Sequence, residues 1–320
     1  MVNSIHHDTE LVSCTGNKPT PIVSFGVPVR NGEKYLPRLF DSLLAQNFTD
    51  FEVVIGDNLS DDRTEEICRE YARRDARIKY FKHPKNLGQS GNFNRVFELS
   101  QGKYFRWIGD DDWLEPEYTR KCVEFLENHE DFIAVTTEQD HVFDDGTIYY
   151  KEFKGERLDS PEAYVRFRRM VWFMTADYGF VDPIYTLYRR EAMLKTHGMQ
   201  LITAQDQVLA SELSLVGRFG HIPECLSHRR RHLYGVVSWD NLLKHYEPSH
   251  HNRINRHHTE AAAAMWGFVK ASSMPGWQKL LCMLPVIRYV SQVILSQEFL
   301  RFKMKLRLRT RLKLVLQKAH

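Results

Sequence analysis

Within the first 130 residues, four short apolar runs alternate with segments whose apolar residues recur at helical spacing, and this alternation restricts the fold more than anything else in the chain. Ile22 to Val27 is such a run, stopped by Pro28, and Glu33 to Gln46 then places Leu36, Leu39, Phe40, Leu43 and Leu44 on one helical stripe. Phe51 to Gly56 is the second run. The helix after it is predicted to begin at a Ser60 or Asp61 cap and to reach about Ala76. Ile78 to Phe81 is the third, followed by a helix from about Ser90 to Leu99, and Tyr104 to Ile108 is the fourth. Such repetition predicts an α/β fold built on a parallel, doubly wound sheet.

Open α/β sheets bind ligands outside the carboxyl ends of their strands, and each break there carries polar residues. Val29-Arg30-Asn31-Gly32 follows the first run, Asp57-Asn58 the second, Asn86-Leu87-Gly88 the third, and Asp110-Asp111-Asp112 the fourth. Three adjacent carboxylates repel one another, so they are either well solvated or neutralised by a cation. A hard cation such as Mg²⁺ takes one or two carboxylates together with phosphate oxygens and water. The plainer alternative is a solvated turn at a helix start, where Asp is favoured, in loops that Asn, Asp and Gly populate anyway.

At 320 residues the chain is long enough for about two domains. Cys14, Cys68, Cys122, Cys225 and Cys282 are scattered and lack C-x-x-C spacing, which argues against a disulfide framework or a zinc site and for a reducing, cytoplasmic setting. Residues 1–20 are polar, without the apolar region of a signal peptide, and read as a loose arm. The longest apolar segment, Leu280 to Leu295, is interrupted by Pro285, Arg288, Ser291 and Gln292, so no membrane-spanning helix is expected. The net charge of +3 conceals an asymmetry. Residues 301–320 hold eight Lys or Arg and no acid, so the rest of the chain is net acidic.

That basic stretch also carries Leu, Val and Met. Its alternation is strand-like and its composition that of a basic amphipathic helix, and periodicity alone does not decide between them. Either form offers apolar contact and positive charge to anionic lipid, at the inner face of the cytoplasmic membrane. A helix packed on the core or a homodimer contact are the other uses of such a stripe. Nucleic acid is the remaining partner that Lys and Arg suggest, but the leucines suit lipid better and no nucleic-acid partner is expected.

After Val135 the alternation fades and aromatics accumulate: Tyr149, Tyr150, Phe153, Tyr164, Phe167, Trp172, Phe173, Tyr178, Tyr185 and Tyr188. Aromatic faces pack on sugar rings, and equally well in cores. Ile202 to Leu213 looks like a helix opening beside Asp206, and Phe219 to His232 like a strand ending in the basic knot His228-Arg229-Arg230-Arg231-His232.

In order and spacing, Pro28-Val29-Arg30-Asn31, Asp57-Asn58-Leu59-Ser60, Asn86-Leu87-Gly88, Gly102-Lys103-Tyr104 and Asp110-Asp111-Asp112 resemble the motifs of the family 2 glycosyltransferases of GT-A fold. The likeness runs from about Pro21 to Val135 and continues more weakly to about Ser238. It implies a GT-A, Rossmann-like, mostly parallel sheet flanked by helices with a C-terminal helical extension, and an inverting enzyme that uses a nucleotide sugar. It further implies that Pro28, Val29 and Asp57 hold the nucleobase, with Asn86, Gly88, Asn92, Asp110 and Asp111 completing the donor site. Asp110 and Asp112 would bind Mn²⁺ or Mg²⁺ on the diphosphate. Where many relatives carry an aromatic residue this chain has Arg30, which would stack on the base or reach the phosphates. Asp206 matches the family's general base, with a first-turn acid as its plainer reading. His232 matches a metal-side histidine, with His228 as runner-up and Arg229 to Arg231 as phosphate clamps or a solvated basic patch.

The organisation expected is therefore a flexible arm (1–20), a nucleotide-sugar-binding subdomain (21–135), an acceptor-binding and catalytic subdomain (136–240) and a helical, basic extension (241–320). The expected function is inverting transfer from a nucleoside-diphosphate sugar, UDP-sugars favoured, to a saccharide or lipid-linked acceptor in polysaccharide synthesis. A nucleotidyltransferase is the alternative enzyme, although Pro28 to Gly32 lacks the Gly-rich, basic loop it would need. A catalytically silent sugar- or nucleotide-binding scaffold is the alternative outside enzymes.

Overall fold

A computed structural model describes residues 20–151, 153, 155–175, 183–202, 204–231 and 257–292. β1 (Val23–Val29), β2 (Phe51–Asp57) and β4 (Tyr104–Trp107) are almost wholly buried, which is why they read as unbroken apolar runs rather than alternating ones. With β3 (Ile78–Lys82) they form a parallel block in the order β3-β2-β1-β4. Beyond β4 the sheet turns mixed. β8 (Leu187–Arg189) pairs antiparallel to both β4 and β6 (Phe132–Phe143), and β6 runs parallel to β9 (Arg218–Arg231). β5 (Trp113–Leu114) closes that edge against β9, and β7 (Ile148–Lys151) forms a hairpin with β6. β6 continues the sheet across residue 135.

Helices cover both faces. α1 (Leu36–Leu44), α2 (Thr64–Arg74) and α4 (Tyr118–Asn128) bury Leu36, Phe40, Cys68, Tyr71, Tyr118 and Leu126 against Phe25, Val27 and Val53. On the other face α3 (Gly88–Leu99), α5 (Ala163–Thr175) and α7 (Gln205–Val216) bury Phe93, Val96, Met170, Leu209 and Leu213 around Phe105 and Trp107. α6 (Arg190–Met193) is a single short turn after β8. α8 (His257–Ala271) and α9 (276–292) build a third cluster on α5 and α7 through Met265, Val269, Cys282, Val286 and Tyr289.

α2 begins later than the cap residues suggest. Its first N–H, on Thr64, donates to Asp62 Oδ1; the Ser60 hydroxyl is already taken by the Asn31 N–H, and the Asp61 N–H is held by Asn31 Oδ1. Of the aromatics after Val135, Phe167, Phe173 and Tyr188 are core, whereas Tyr149, Tyr150 and Trp172 are exposed; Tyr178 lies outside the described residues, as do the N-terminal arm to residue 19 and the basic stretch 301–320. Among the described residues no helix is long and apolar enough to cross a membrane.

Candidate active site

β4 delivers three carboxylates to the carboxyl edge of the parallel block. The Ile108 N–H still pairs with Gly26 O at 3.0 Å; after Gly109 the chain turns, and the Asp112 N–H donates back to Gly109 O. The loop after β1 lies directly over this turn, since a Cβ added to Gly32 would fall 2.6 Å from Asp110 Oδ2. Burial, then the neighbouring Asp111 carboxylate, pushes Asp110 up to about 8. Burial also raises Asp112, to about 6, although the Arg229 guanidinium opposes the shift. Asp112 Oδ1 accepts the Arg230 N–H at 3.2 Å, and Oδ2 lies 3.5 Å from Arg229 Nε. Behind them sits the buried guanidinium of Arg106, stacked over Tyr118 at 4.2 Å and donating to Ser227 Oγ; among the described residues its Nε and Nη1 meet no hydrogen-bond acceptor. Acids held so far above the ordinary aspartate value of about 3.9 are short of positive charge. Hard oxygen donors in that condition fit a divalent cation.

The loops after β1 and β2 are latched together. Asn31 N–H donates to Ser60 Oγ, Gly32 N–H to Thr64 Oγ1 and Glu33 N–H to Asp62 Oδ2, while Asp61 N–H and Arg63 N–H return to Asn31 Oδ1 and Glu33 Oε2. Asn31 and Leu59 take left-handed φ values of 59° and 65°. For a leucine that conformation is strained, and such strain gathers at ligand sites. Asp57 is buried, accepting from the Ser60 N–H at 2.9 Å and the Tyr80 hydroxyl at 2.6 Å. Asn58 ties this loop to the next by donating to Asn86 Oδ1 and accepting from the Leu87 N–H, and Gly88 opens α3 at φ 72°. Asn92 is buried below them, donating to Gly56 O and meeting His83 Nε2. It joins strand ends. Pro28 and Val29 line the floor of this edge, and Arg30 stands exposed on it.

The start of α7 reaches the same edge. Gln205 bonds Gln89 Oε1 at 3.0 Å and accepts from the Ser90 hydroxyl, docking α7 on the first turn of α3. Ala204, at the N-cap, is left-handed at φ 56°, and Asp206 follows in the first turn with its side chain exposed. A helix N-terminus favours an ionised carboxylate.

β9 carries the basic knot past the acids. Arg229 stacks over Tyr185 at 4.0 Å, Arg230 over Tyr35 at 4.8 Å, and Arg231 Nε donates to His141 Nδ1. His228 lies flat on Trp113, and its two nitrogens reach Asp140 Oδ1 and Glu115 Oε1, each at 2.8 Å. Burial works against its charge, but the bonds to those two carboxylates outweigh it and hold the imidazole above its ordinary value. Asp140, Cys225 and His228 also bring one donor atom each within 4.8 Å of one another, a set able to hold a metal ion. His232 lies outside the described residues.

The sequence assigns no site role to Tyr80, Arg106, Trp113, Asp140 or Cys225, and marks Gly32 only as the last residue of the loop after the first run. Gly32 followed the motif residues directly and was the one with an available signal. Trp113, Asp140 and Cys225 meet only through the pairing of β5, β6 and β9, in which Asp140 and Trp113 both face His228, whereas Tyr80 reaches Asp57 from β3 and Arg106 reaches Ser227 from β4.

The family model for glycosyl transferase family 2 matches residues 24–195, more than half of the chain. An uncharacterized glycosyltransferase of Methanocaldococcus jannaschii, MJ1057, is 28% identical over 60% of this chain and 64% of its own length. Chondroitin synthase of Escherichia coli is 27% identical over 67% of this chain and 30% of its own length. The chain thus spans less than two thirds of the length of these relatives. Among solved structures, Staphylococcus aureus TarS 1-349 in complex with UDP-GlcNAc superposes with a TM-score of 0.61 at 18% identity, covering 84% of this chain and 72% of that one. The mannosyltransferase PcManGT of Pyrobaculum calidifontis, in complex with GDP-Man and Mn²⁺, gives 0.51 at 14%, covering 85% and 87%. By its motifs, its sheet and its family match, the chain belongs to glycosyl transferase family 2 and has the GT-A fold.

Proposed function

We propose that the protein transfers a sugar, with inversion, from a nucleoside-diphosphate sugar to a saccharide or lipid-linked acceptor in polysaccharide synthesis. The observation that carries this reading is the apposition of the loop after β1 and the charge-deficient carboxyls of Asp110 and Asp112. The nucleoside lies along the latched loops, with Pro28, Val29 and Arg30 beside the base and the Asn86–Gly88 turn at its other side. Buried Asp57 has spare acceptor capacity for an imide N–H while it fixes the loop through Ser60 and Tyr80. Relatives in complex with UDP-GlcNAc and with GDP-Man support a nucleotide-sugar donor and leave both uracil and guanine as bases.

Asp110 and Asp112, with Asp111 beside them, are the residues that would hold Mn²⁺ or Mg²⁺. When bound, the cation offsets charge on the departing diphosphate. Arg229 and the Arg230 N–H keep Asp112 oriented. Asp206, exposed at the start of α7, takes the proton of the acceptor hydroxyl. That oxygen forms the new bond to the anomeric carbon as the bond to the diphosphate oxygen breaks, and a single displacement of this kind inverts the centre.

The test is a thermal-shift titration of UDP-, GDP-, CMP- and dTDP-sugars with and without Mn²⁺, followed by product analysis. A cation-dependent rise in melting temperature with one donor class supports the reading. Indifference to every donor in either condition overturns it, and donor binding without release of nucleoside diphosphate to any acceptor points to a silent scaffold.

A further inference from the structure

α9 is apolar on two opposite sides. Cys282, Val286 and Tyr289 are buried against α5, α7 and α8. Trp277, Leu280, Leu284 and Ile287, spaced as one helical stripe, are 57%, 62%, 64% and 57% exposed. Beside the stripe, between α5 and α9, lies a cavity of about 500 Å³ lined by Trp172 and Leu284 with Arg168 and Arg288, and by Glu156, which is paired with Arg169. Among the described residues neither the Arg168 nor the Arg288 guanidinium meets a carboxylate.

We propose that this face is seated on an anionic phospholipid surface, with the stripe entering the acyl boundary and Arg168 and Arg288 at the lipid phosphates. The chemistry of the patch selects that occupant. An apolar stripe beside two arginines that meet no carboxylate among the described residues suits a layer that is apolar within and negative outside. Residues 301–320, with eight Lys or Arg and no acid, continue the same charge. A second copy of the chain fits less well, because a two-fold contact through this patch would set its arginines against their own mates.

The placement says what the surface is for, and here the inference rests on the transfer reading above. On the buried side of α9 the Tyr289 hydroxyl donates to Gln207 Oε1 at 3.2 Å, one residue from Asp206. Lipid face and acceptor base therefore stand on opposite sides of a single helix, about 10 Å across. The acceptor class that this favours is one anchored in the bilayer, its hydroxyl presented at the headgroup level.

Sedimentation of the full chain with phosphatidylcholine vesicles, with and without phosphatidylglycerol, tests the proposal. Wild type is expected to bind the anionic vesicles, and Leu280→Ser/Leu284→Ser/Ile287→Ser to bind about 10²-fold more weakly. Arg168→Gln/Arg288→Gln should weaken the preference for phosphatidylglycerol, the tail supplying what remains. The comparison of wild type with the triple variant is repeated at about 1 M salt, where the screening length is about 3 Å and charge in the tail and at the arginines no longer contributes. In parallel, brominated lipid should quench wild-type fluorescence more than that of Trp277→Phe, which leaves the aliphatic stripe intact. Equal vesicle binding by wild type and the triple variant at both salt levels overturns the proposal. So does a dimer that the triple substitution dissociates while vesicle binding persists. Donor-induced stabilisation, measured on the same samples, separates the two readings: its absence in wild type sinks sugar transfer and leaves the lipid result standing.

Discussion

Gly32 and Asp110 are packed so closely that a methyl group on the glycine would lie 2.6 Å from the carboxylate Oδ2, and equally close to Val29 Cγ2. Gly32→Ala must therefore move either the acid or Val29 at the end of β1. We expect Mn²⁺ and donor affinity to fall about tenfold, with about 1–3 kcal/mol lost in stability. Calorimetric titration with Mn²⁺ and chemical denaturation check both numbers; wild-type affinity in the variant would mean that the position of Asp110 does not matter to the ligand.

Asp110 and Asp112 are held at about 8 and about 6, so the folded protein binds these protons more tightly than the unfolded chain. Stability from this source is complete below about pH 4 and declines as pH rises through those two values. A divalent cation competes with the protons. The gain in melting temperature from Mn²⁺ should consequently be larger at about pH 8 than at about pH 6, and EDTA should reverse it. Asp110→Asn should flatten the metal-free decline; an unchanged slope in that variant would place its origin elsewhere.

Asp206→Asn keeps the size of the side chain and removes its basicity. Transfer is expected to drop by about 10²-fold or more while donor-induced stabilisation stays as in wild type. Turnover at the wild-type rate would assign the proton to another group.

His228 is clamped by Asp140 and Glu115 while lying on Trp113, which directly follows Asp112. Its raised value means that the clamp stabilises the fold fully below about pH 6.5 and loses that contribution as pH climbs through the folded value. His228→Ala should cost about 1–3 kcal/mol in mildly acid buffer and less in alkaline buffer. Denaturation curves across that range decide it, and a penalty independent of pH would mean that the ring contributes only by stacking.

The parallel half of the molecule was legible because its information is local. A buried strand followed by a helical stripe is written in consecutive residues, and Leu36, Leu39, Phe40 and Leu43 show it before any partner is known. The insertion of β8 between β4 and β6 was not, since it joins Phe105 to Tyr188 across more than eighty residues with no periodic signal. The same holds for the site. Asp110 to Asp112 stood out as a run, whereas the meeting of Asp140 with His228 depends on the β6–β9 register, which a bulge near Glu138 shifts. The start of α2 was misplaced for a related reason: Ser60 and Asp61 have the chemistry of caps, but a loop distant in sequence takes the Ser60 hydroxyl and holds the Asp61 backbone N–H, and Asp62 caps instead.

Five cross-bonds within the chain itself join the loops after β1 and β2. If the proposed nucleotide sugar sits along these loops, a cradle fixed by the chain's own bonds costs it less entropy in settling there. Selection among purines and pyrimidines then becomes a matter of fixed shape, and changing the favoured base would require re-cutting two loops together rather than swapping one side chain.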